Sequence, residues 1–193
     1  MNNPDAMRGR ILDAAAELFQ LRGYHSTSTH DIVQKAEVTA GALHHHFRTK
    51  KDIGLAVIRE RVARAVKQTW IDPVQSAETA TDGILTAFDQ VASSLAKRRL
   101  VMGCPLNNLA IELSLVDSDF RGAVREIYGG WRDSIAARLK ANFEDADAAA
   151  TFVVALYSGA IALAKADQDP SVLRTCAQQL ASMMRQWPRR SRR

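Results

Sequence analysis

The chain has 193 residues, of which 47% are apolar and only 6% aromatic, with alanine filling much of the apolar share; that balance allows a proper core and favours helix. The formal charge is +5, but Pro188-Arg189-Arg190-Ser191-Arg192-Arg193 carries four arginines, so the rest stands at about +1 and bulk charge alone does not argue for a polyanion partner. Cys104 and Cys176 are too few and too far apart for a disulfide framework, the start Met1-Asn2-Asn3-Pro4-Asp5 lacks an apolar signal region, and the uncharged run Ala148–Ala164 is too short for a comfortable membrane span; a soluble, cytoplasmic protein with no membrane partner is expected.

Ile11, Leu12, Ala15, Leu18 and Phe19 form one apolar stripe at helical spacing, and Gly23 ends that helix. Ser28 with Asp31 makes a capping pair that opens a short helix through Ile32, Val33 and Ala36. After a turn at Glu37-Val38, Thr39 caps another short helix ending near Phe47. Thr49 with Asp52 repeats the capping pattern and opens a long helix through Ile53, Val57, Ile58 and Val62, which Asp72-Pro73 stops. Helices are predicted over 76–98, 106–115 and 118–142, with the interruption Met102-Gly103-Cys104-Pro105 between the first two and Pro105 suited to a first helical position. The Ala148–Ala164 run is the next helix, Asp169-Pro170 breaks it, and a last one carries Leu173, Leu180, Met183, Met184 and Trp187. No stretch alternates with a period of two. The expectation is an all-α fold of nine helices. A three-helix DNA-binding head would span 6–67, with a helix-turn-helix at 28–47. A helical regulatory and dimerisation body would follow over 68–187, and a solvated basic tail over 188–193.

The helix-turn-helix carries the chemistry, because its second helix is the one that enters a DNA major groove. On a helical projection Thr39, Leu43, His46 and Phe47 share one side and should pack on the head, while Ala40, Gly41, His44 and His45 share the other. Small residues at 40 and 41 permit close approach, His44 and His45 can donate to base edges or phosphates, and Thr39, at the start of the helix, is also counted among the DNA contacts. Thr29 and His30, at the start of the preceding helix, and Lys50, at the start of the next, sit where free N–H groups favour phosphate. His46 divides evenly between DNA contact and a packing role.

The run Val38-Thr39-Ala40-Gly41-Ala42-Leu43-His44-His45-His46-Phe47 followed by Lys50 resembles the signature of the TetR family of transcriptional regulators. Ile11-Leu12-Asp13-Ala14-Ala15-Ala16-Glu17-Leu18-Phe19 with Gly23-Tyr24 resembles that family's first helix, and Thr27-Ser28-Thr29 with Ile32 and Ala36 its second. The resemblance spans residues 7–60. It implies a homodimer that binds a palindromic operator in double-stranded DNA, usually as a repressor released by a small-molecule effector, here of unknown identity. His44 stands where the family usually has a tyrosine that touches phosphate. Histidine exchanges its proton near neutrality and holds phosphate better when charged, so operator affinity is expected to weaken between about pH 6 and pH 8. A flat affinity over that range at constant salt removes His44 as a charged contact.

Three consecutive histidines do not make a metal site, because neighbours on a helix lie about 100 degrees apart and the residue four after His44 is Arg48. All five histidines lie between His25 and His46, which leaves the body without histidine acid-base chemistry, and no glycine-rich phosphate loop or zinc motif occurs. No catalytic residue, metal or cofactor is predicted.

In the body, small residues Ala155, Gly159 and Ala160 together with Phe152, Leu156, Leu163, Leu180, Met183, Met184 and Trp187 suit a helical junction between two chains, the alternative being burial within one. Gly103-Cys104-Pro105-Leu106-Asn107-Asn108-Leu109-Ala110 with Glu112 resembles a segment of a TetR subgroup that includes sensors of reactive electrophiles. Cys104 would cap a helix whose dipole favours thiolate, and Lys165 would support it. The alternative is a small buried residue at a helix start, and Cys176 is expected to be plain core. Tyr128 and Trp131, with Trp70, Phe88, Met102, Leu106 and Phe120, supply apolar surface for a noncovalent effector or simply for core.

Overall fold

The computed structural model describes residues 4–98 and 100–189 of the chain. Its described residues form nine helices: α1 (Pro4–Arg22), α2 (Thr29–Ala36), α3 (Ala40–His46), α4 (50–76), α5 (Ala80–Ala96), α6 (Pro105–Leu113), α7 (Ser118–Leu139), α8 (Ala146–Asp167) and α9 (Ser171–Gln186). No strand forms among them, and a single antiparallel bridge pairs Phe143 with Arg189. Of the predicted basic tail, residues 190–193 lie outside the described residues.

Caps explain most helix starts. Ser28 accepts from the Asp31 N–H while Asp31 accepts from the Ser28 N–H, and Thr49 and Asp52 do the same, so both predicted pairs are complete capping boxes. Thr39 accepts from Ala42, Thr79 from Asp82 and Asp145 from Ala148. The cap at Thr79 explains why α5 begins at Ala80 rather than Ser76. Glu37 and Gln168 end α2 and α8 in the left-handed region.

One expectation is overturned in α4. Asp72-Pro73 does not stop the helix, which continues to Ser76. Two stretches, Val57–Val62 and Lys67–Ile71, adopt the wider i→i+5 hydrogen-bond register, and the Asp72 N–H reaches the Lys67 carbonyl. That widening takes up the ring that would otherwise clash with the carbonyl four residues back. The helix stops at Ala77, whose backbone is extended.

The described residues fall into two compact units, one within 1–65 and 105–127 and the other within 66–104 and 128–193. The boundary in α4 lies at 65/66, against an expected 67/68. Residues 105–127, expected in the regulatory body, belong to the first unit: α6 packs on α1 and on the middle of α4. In that unit Ile11, Leu12, Phe19, Ile32, Leu43, Ile53 and Ile58 are all but fully buried. Gly54 lies so close to the rings of Tyr24 and Phe120 that a Cβ there would stand 2.8 Å and 2.9 Å from ring carbons, and those rings meet edge-on with centroids 5.2 Å apart.

The second unit is built around an aromatic cluster. Trp70 lies 5.3 Å from Phe88, 5.0 Å from Trp131 and 4.7 Å from Tyr157 between ring centroids. The indole N–H groups of Trp70 and Trp131 are buried without a hydrogen-bond partner of normal geometry among the described residues. Helix α8 has 22 residues, and an 18-residue stretch of it with a mean hydropathy of 1.6 passes for a membrane span by length and composition alone. The helix is longer than the uncharged run Ala148–Ala164 because it extends to Ala146 and Asp167. Ala150, Val153, Tyr157, Ala160, Ile161 and Ala164 form its buried side, as suits a core helix.

Candidate nucleic-acid interface and regulatory body

Helix α3 is seven residues long and its two sides differ as the sequence requires. Leu43 is buried, and so is Phe47, which follows the last turn. Ala40, Gly41, His44 and His45 are exposed and His46 is half-buried. Thr39 is exposed and does not pack on the head, contrary to expectation, since capping turns its hydroxyl toward the Ala42 N–H at 3.1 Å. Among the other predicted DNA contacts, Thr29 is half-buried and His30 exposed, its ring 2.9 Å from the Gln34 amide. The exposed side of α3 thus offers small residues first and imidazoles after them, a profile that lets a helix sink into a groove.

The base of α3 is held by α1. The Arg8 guanidinium lies 5.3 Å above the Phe47 ring and grips both carboxylate oxygens of Glu60, one of them at 2.8 Å. Arg61 adds a 2.6 Å bond to Asp13 and a 3.2 Å bond to the Gly9 carbonyl. The Arg8 hydrogen bond holds the Glu60 carboxyl below its ordinary value, outweighing the opposing effect of burial. A carboxyl lowered by folding stabilises the fold at pH values above its unfolded value and ceases to do so as pH falls through the folded one. The melting curves of Glu60→Gln and the parent are therefore expected to differ modestly near neutrality and to converge below about pH 4, as read by thermal melts across pH.

Lys50 is differently placed from a free phosphate anchor. Its ammonium lies 4.3 Å from the centroid of the Tyr24 ring and donates to the His25 carbonyl at 3.3 Å. Burial lowers its pKa, while Glu112 and Asp31 act to raise it. Lys51 is held by two carboxylates, Asp117 and Asp119, each at 2.7 Å.

In the second unit Cys104 is buried, in the residue just before α6. Its negative form would raise the hydroxyl pKa of both Tyr128 and Tyr157, so all three groups are near one another. Burial is the larger effect and pushes Tyr128 up to about 12. Tyr128 stacks on Trp131 at 6.2 Å. Of the predicted set, Tyr128 and Trp131 are in ring contact, and Tyr157 joins them with its centroid 5.6 Å from that of Trp131. Lys165 lies exposed near the end of α8. Gln168, which the sequence did not single out, joins both ends of this region: it accepts from the Val101 N–H at 3.0 Å and donates to the carbonyls of Val101 at 3.1 Å and Lys165 at 2.7 Å. Cys176 is half-buried rather than plain core.

Of the residues predicted to pair two chains, Leu180 and Met184 are fully buried in the chain's own core, because the apolar side of α9 turns inward onto α5 and α8. Phe152, Leu163 and Met183 are exposed at 38%, 56% and 43%. Gly159 is exposed, and Leu156 and Trp187 are half-buried. Phe152, Met183 and Trp187 line an apolar groove of about 300 Å³ with Phe143, Ala148 and Ala149.

Comparison with known proteins accords with this arrangement. A family model described as bacterial regulatory proteins of the tetR family matches residues 11–57, and one described as the C-terminal domain of LmrA/YxaF-like transcriptional regulators matches residues 80–179. An uncharacterised helix-turn-helix transcriptional regulator of Lactococcus lactis subsp. lactis is 30% identical over 168 residues, covering 85% of this chain and 86% of that protein. The chain belongs to the TetR family of transcriptional regulators. A TetR regulator of Chloroflexus aurantiacus has a solved structure that superposes with a TM-score of 0.84 at 26% identity, covering 99% of this chain and 100% of the other. The transcriptional repressor NemR of Escherichia coli is 28% identical over 118 residues, 61% of this chain and 59% of its own. Its reduced form has the same fold, with a TM-score of 0.82 at 23% identity over 91% of this chain and 95% of that one.

Glu112, the last residue of the Gly103–Glu112 motif, reaches back to the end of α1. Glu112 accepts from the backbone N–H groups of Tyr24 at 2.8 Å and His25 at 2.6 Å. A sequence separation above 80 residues hides such a pairing from any local pattern.

Proposed function

We propose that this TetR-family regulator is a cytoplasmic repressor that binds a palindromic operator as a homodimer and lets go of it when a small-molecule or thiol-reactive effector reaches the second unit. The observation that carries the reading is α3: two buried anchors, Leu43 and Phe47, behind an exposed side of Ala40, Gly41, His44 and His45. Base contacts would come from that side, Thr29, His30, Thr39 and His46 stand at its margins, and Lys50, held in place by the Tyr24 ring and the His25 carbonyl, would meet phosphate. The exposed apolar side of α8 and the groove at Phe152, Met183 and Trp187 support pairing of two chains, with Gly159 and Leu156 along the same helix. Leu180 and Met184 drop out of that surface. A buried Cys104 within electrostatic reach of Tyr128 and Tyr157 supports the effector assignment, as does the name of NemR as a repressor. No part of the reading needs a membrane.

Selection of bound duplexes from a random pool, followed by salt titration, tests it. The expected result is a two-fold symmetric site and a log-log salt slope of about −0.9 for each neutralised phosphate. If no duplex is enriched, the reading fails and the helical body becomes a candidate protein-binding module. Release is tested separately with Cys104→Ser: a response to oxidants or electrophiles that survives the substitution rejects the thiol route and leaves a noncovalent effector.

A further inference from the structure

We propose that Glu112, on α6, is a positioning residue for operator binding: its carboxylate fixes the turn between α1 and α2 and, through that turn, Lys50. The inference rests on the reading of α3 as the DNA-binding helix and concerns how its surroundings are held.

The two carboxylate oxygens serve two donors. Oε2 accepts from Tyr24 and Oε1 from His25, both backbone N–H groups just past the end of α1. Such charge-assisted bonds are about twice as strong as neutral ones. The same short segment then holds Lys50 on two sides, through the His25 carbonyl at 3.3 Å and the Tyr24 ring at 4.3 Å. Glu112, the turn and Lys50 form one chain of contacts within the first unit. Gly23 is shaped to admit the carboxylate: its φ is +86°, and a Cβ there would stand 3.0 Å and 3.2 Å from the two oxygens. From the other side Thr27 donates to the Gly23 carbonyl at 2.8 Å. The turn leads directly into Ser28, the cap of α2, and so into the helix-turn-helix. A glutamine at 112 would keep one acceptor oxygen in place and set its NH2 donor against the other amide N–H.

The experiment uses the full-length protein and the duplex recovered by selection. Amide hydrogen exchange without DNA should show Tyr24 and His25 protected in the parent and unprotected in Glu112→Ala, with the α2 and α3 amides unchanged. Operator affinity should fall about tenfold in Glu112→Ala and by less in Glu112→Gln. Because Glu112 acts through Lys50, Glu112→Ala should add little to the loss already caused by Lys50→Ala. A merely structural role would multiply the two losses and lower the melting temperature in step. The proposal is overturned if the parent's Tyr24 and His25 amides exchange freely, if Glu112→Ala binds operator as the parent does, or if the two losses multiply. Should Glu112→Ala fail to fold, Glu112→Gln decides by the same three readings. A parent protein that selects no duplex rejects the DNA reading, and amide exchange then still decides whether the carboxylate holds the turn.

Discussion

Gly41→Glu is expected to lower operator affinity by about two orders of magnitude or more and to leave the melting temperature nearly where it was. The position is exposed on α3, and beyond its chain neighbours and the helix's own backbone no described atom would come within 4 Å of a Cβ there. The substitution therefore costs no packing, and glutamate is a better helix former than glycine by about 0.5–1 kcal/mol. The damage falls on binding. A carboxylate in the middle of the groove-facing side meets phosphate charge and removes the close backbone approach that residues 40 and 41 permit, and a single wrong base contact already costs about 1–3 kcal/mol. Gly41→Ala is the control, with the same backbone and little added bulk, and should lose far less. Fluorescence anisotropy on the selected duplex, paired with a thermal melt, reads both effects. Parent-like binding by Gly41→Glu would move the interface away from α3.

Trp70→Ala is the substitution expected to cost most stability. Trp70 is fully buried and touches Phe88, Trp131 and Tyr157 at once. Truncating a buried tryptophan costs about 3–5 kcal/mol. For a chain of this size that corresponds to a melting temperature lower by about 10 °C. Trp70→Phe should lose much less, because a phenyl ring keeps most of the contact with Phe88, Trp131 and Tyr157 and the indole N–H makes no hydrogen bond of normal geometry among the described residues. A thermal melt that ranks the two variants equally would mean that the N–H is satisfied in solution, by a water or a bound molecule.

The helices were legible because their signals are local. Ser28 with Asp31 and Thr49 with Asp52 are capping pairs at fixed spacing, and each forms in full. The division of α3 into buried Leu43 and exposed Ala40, Gly41, His44 and His45 follows from 100 degrees per residue. What was not legible depends on the third dimension. Pro73 would break a regular helix, and nothing in its neighbours announces the wider register that accommodates it. Leu180 and Met184 are as apolar as Met183, but only the packing of α9 on α5 and α8 decides that the first two are inside and the third is not. Tyr157 is one residue in an apolar run until Trp70 and Trp131 are seen against it. Glu112 reaches Tyr24 and His25, and Gln168 reaches Val101, across 67 to 88 residues of sequence, a distance at which periodicity carries no information.

The burial of Cys104, 7% exposed, bears on the timing of any response that passes through it. A thiolate reacts only when a reagent can reach it, so reaction at this sulfur must wait for a local opening of the surrounding segment. At low reagent the modification rate rises with concentration; at high reagent it levels off at the rate of opening. A regulator built this way would register how long an exposure lasts rather than how intense a brief pulse is.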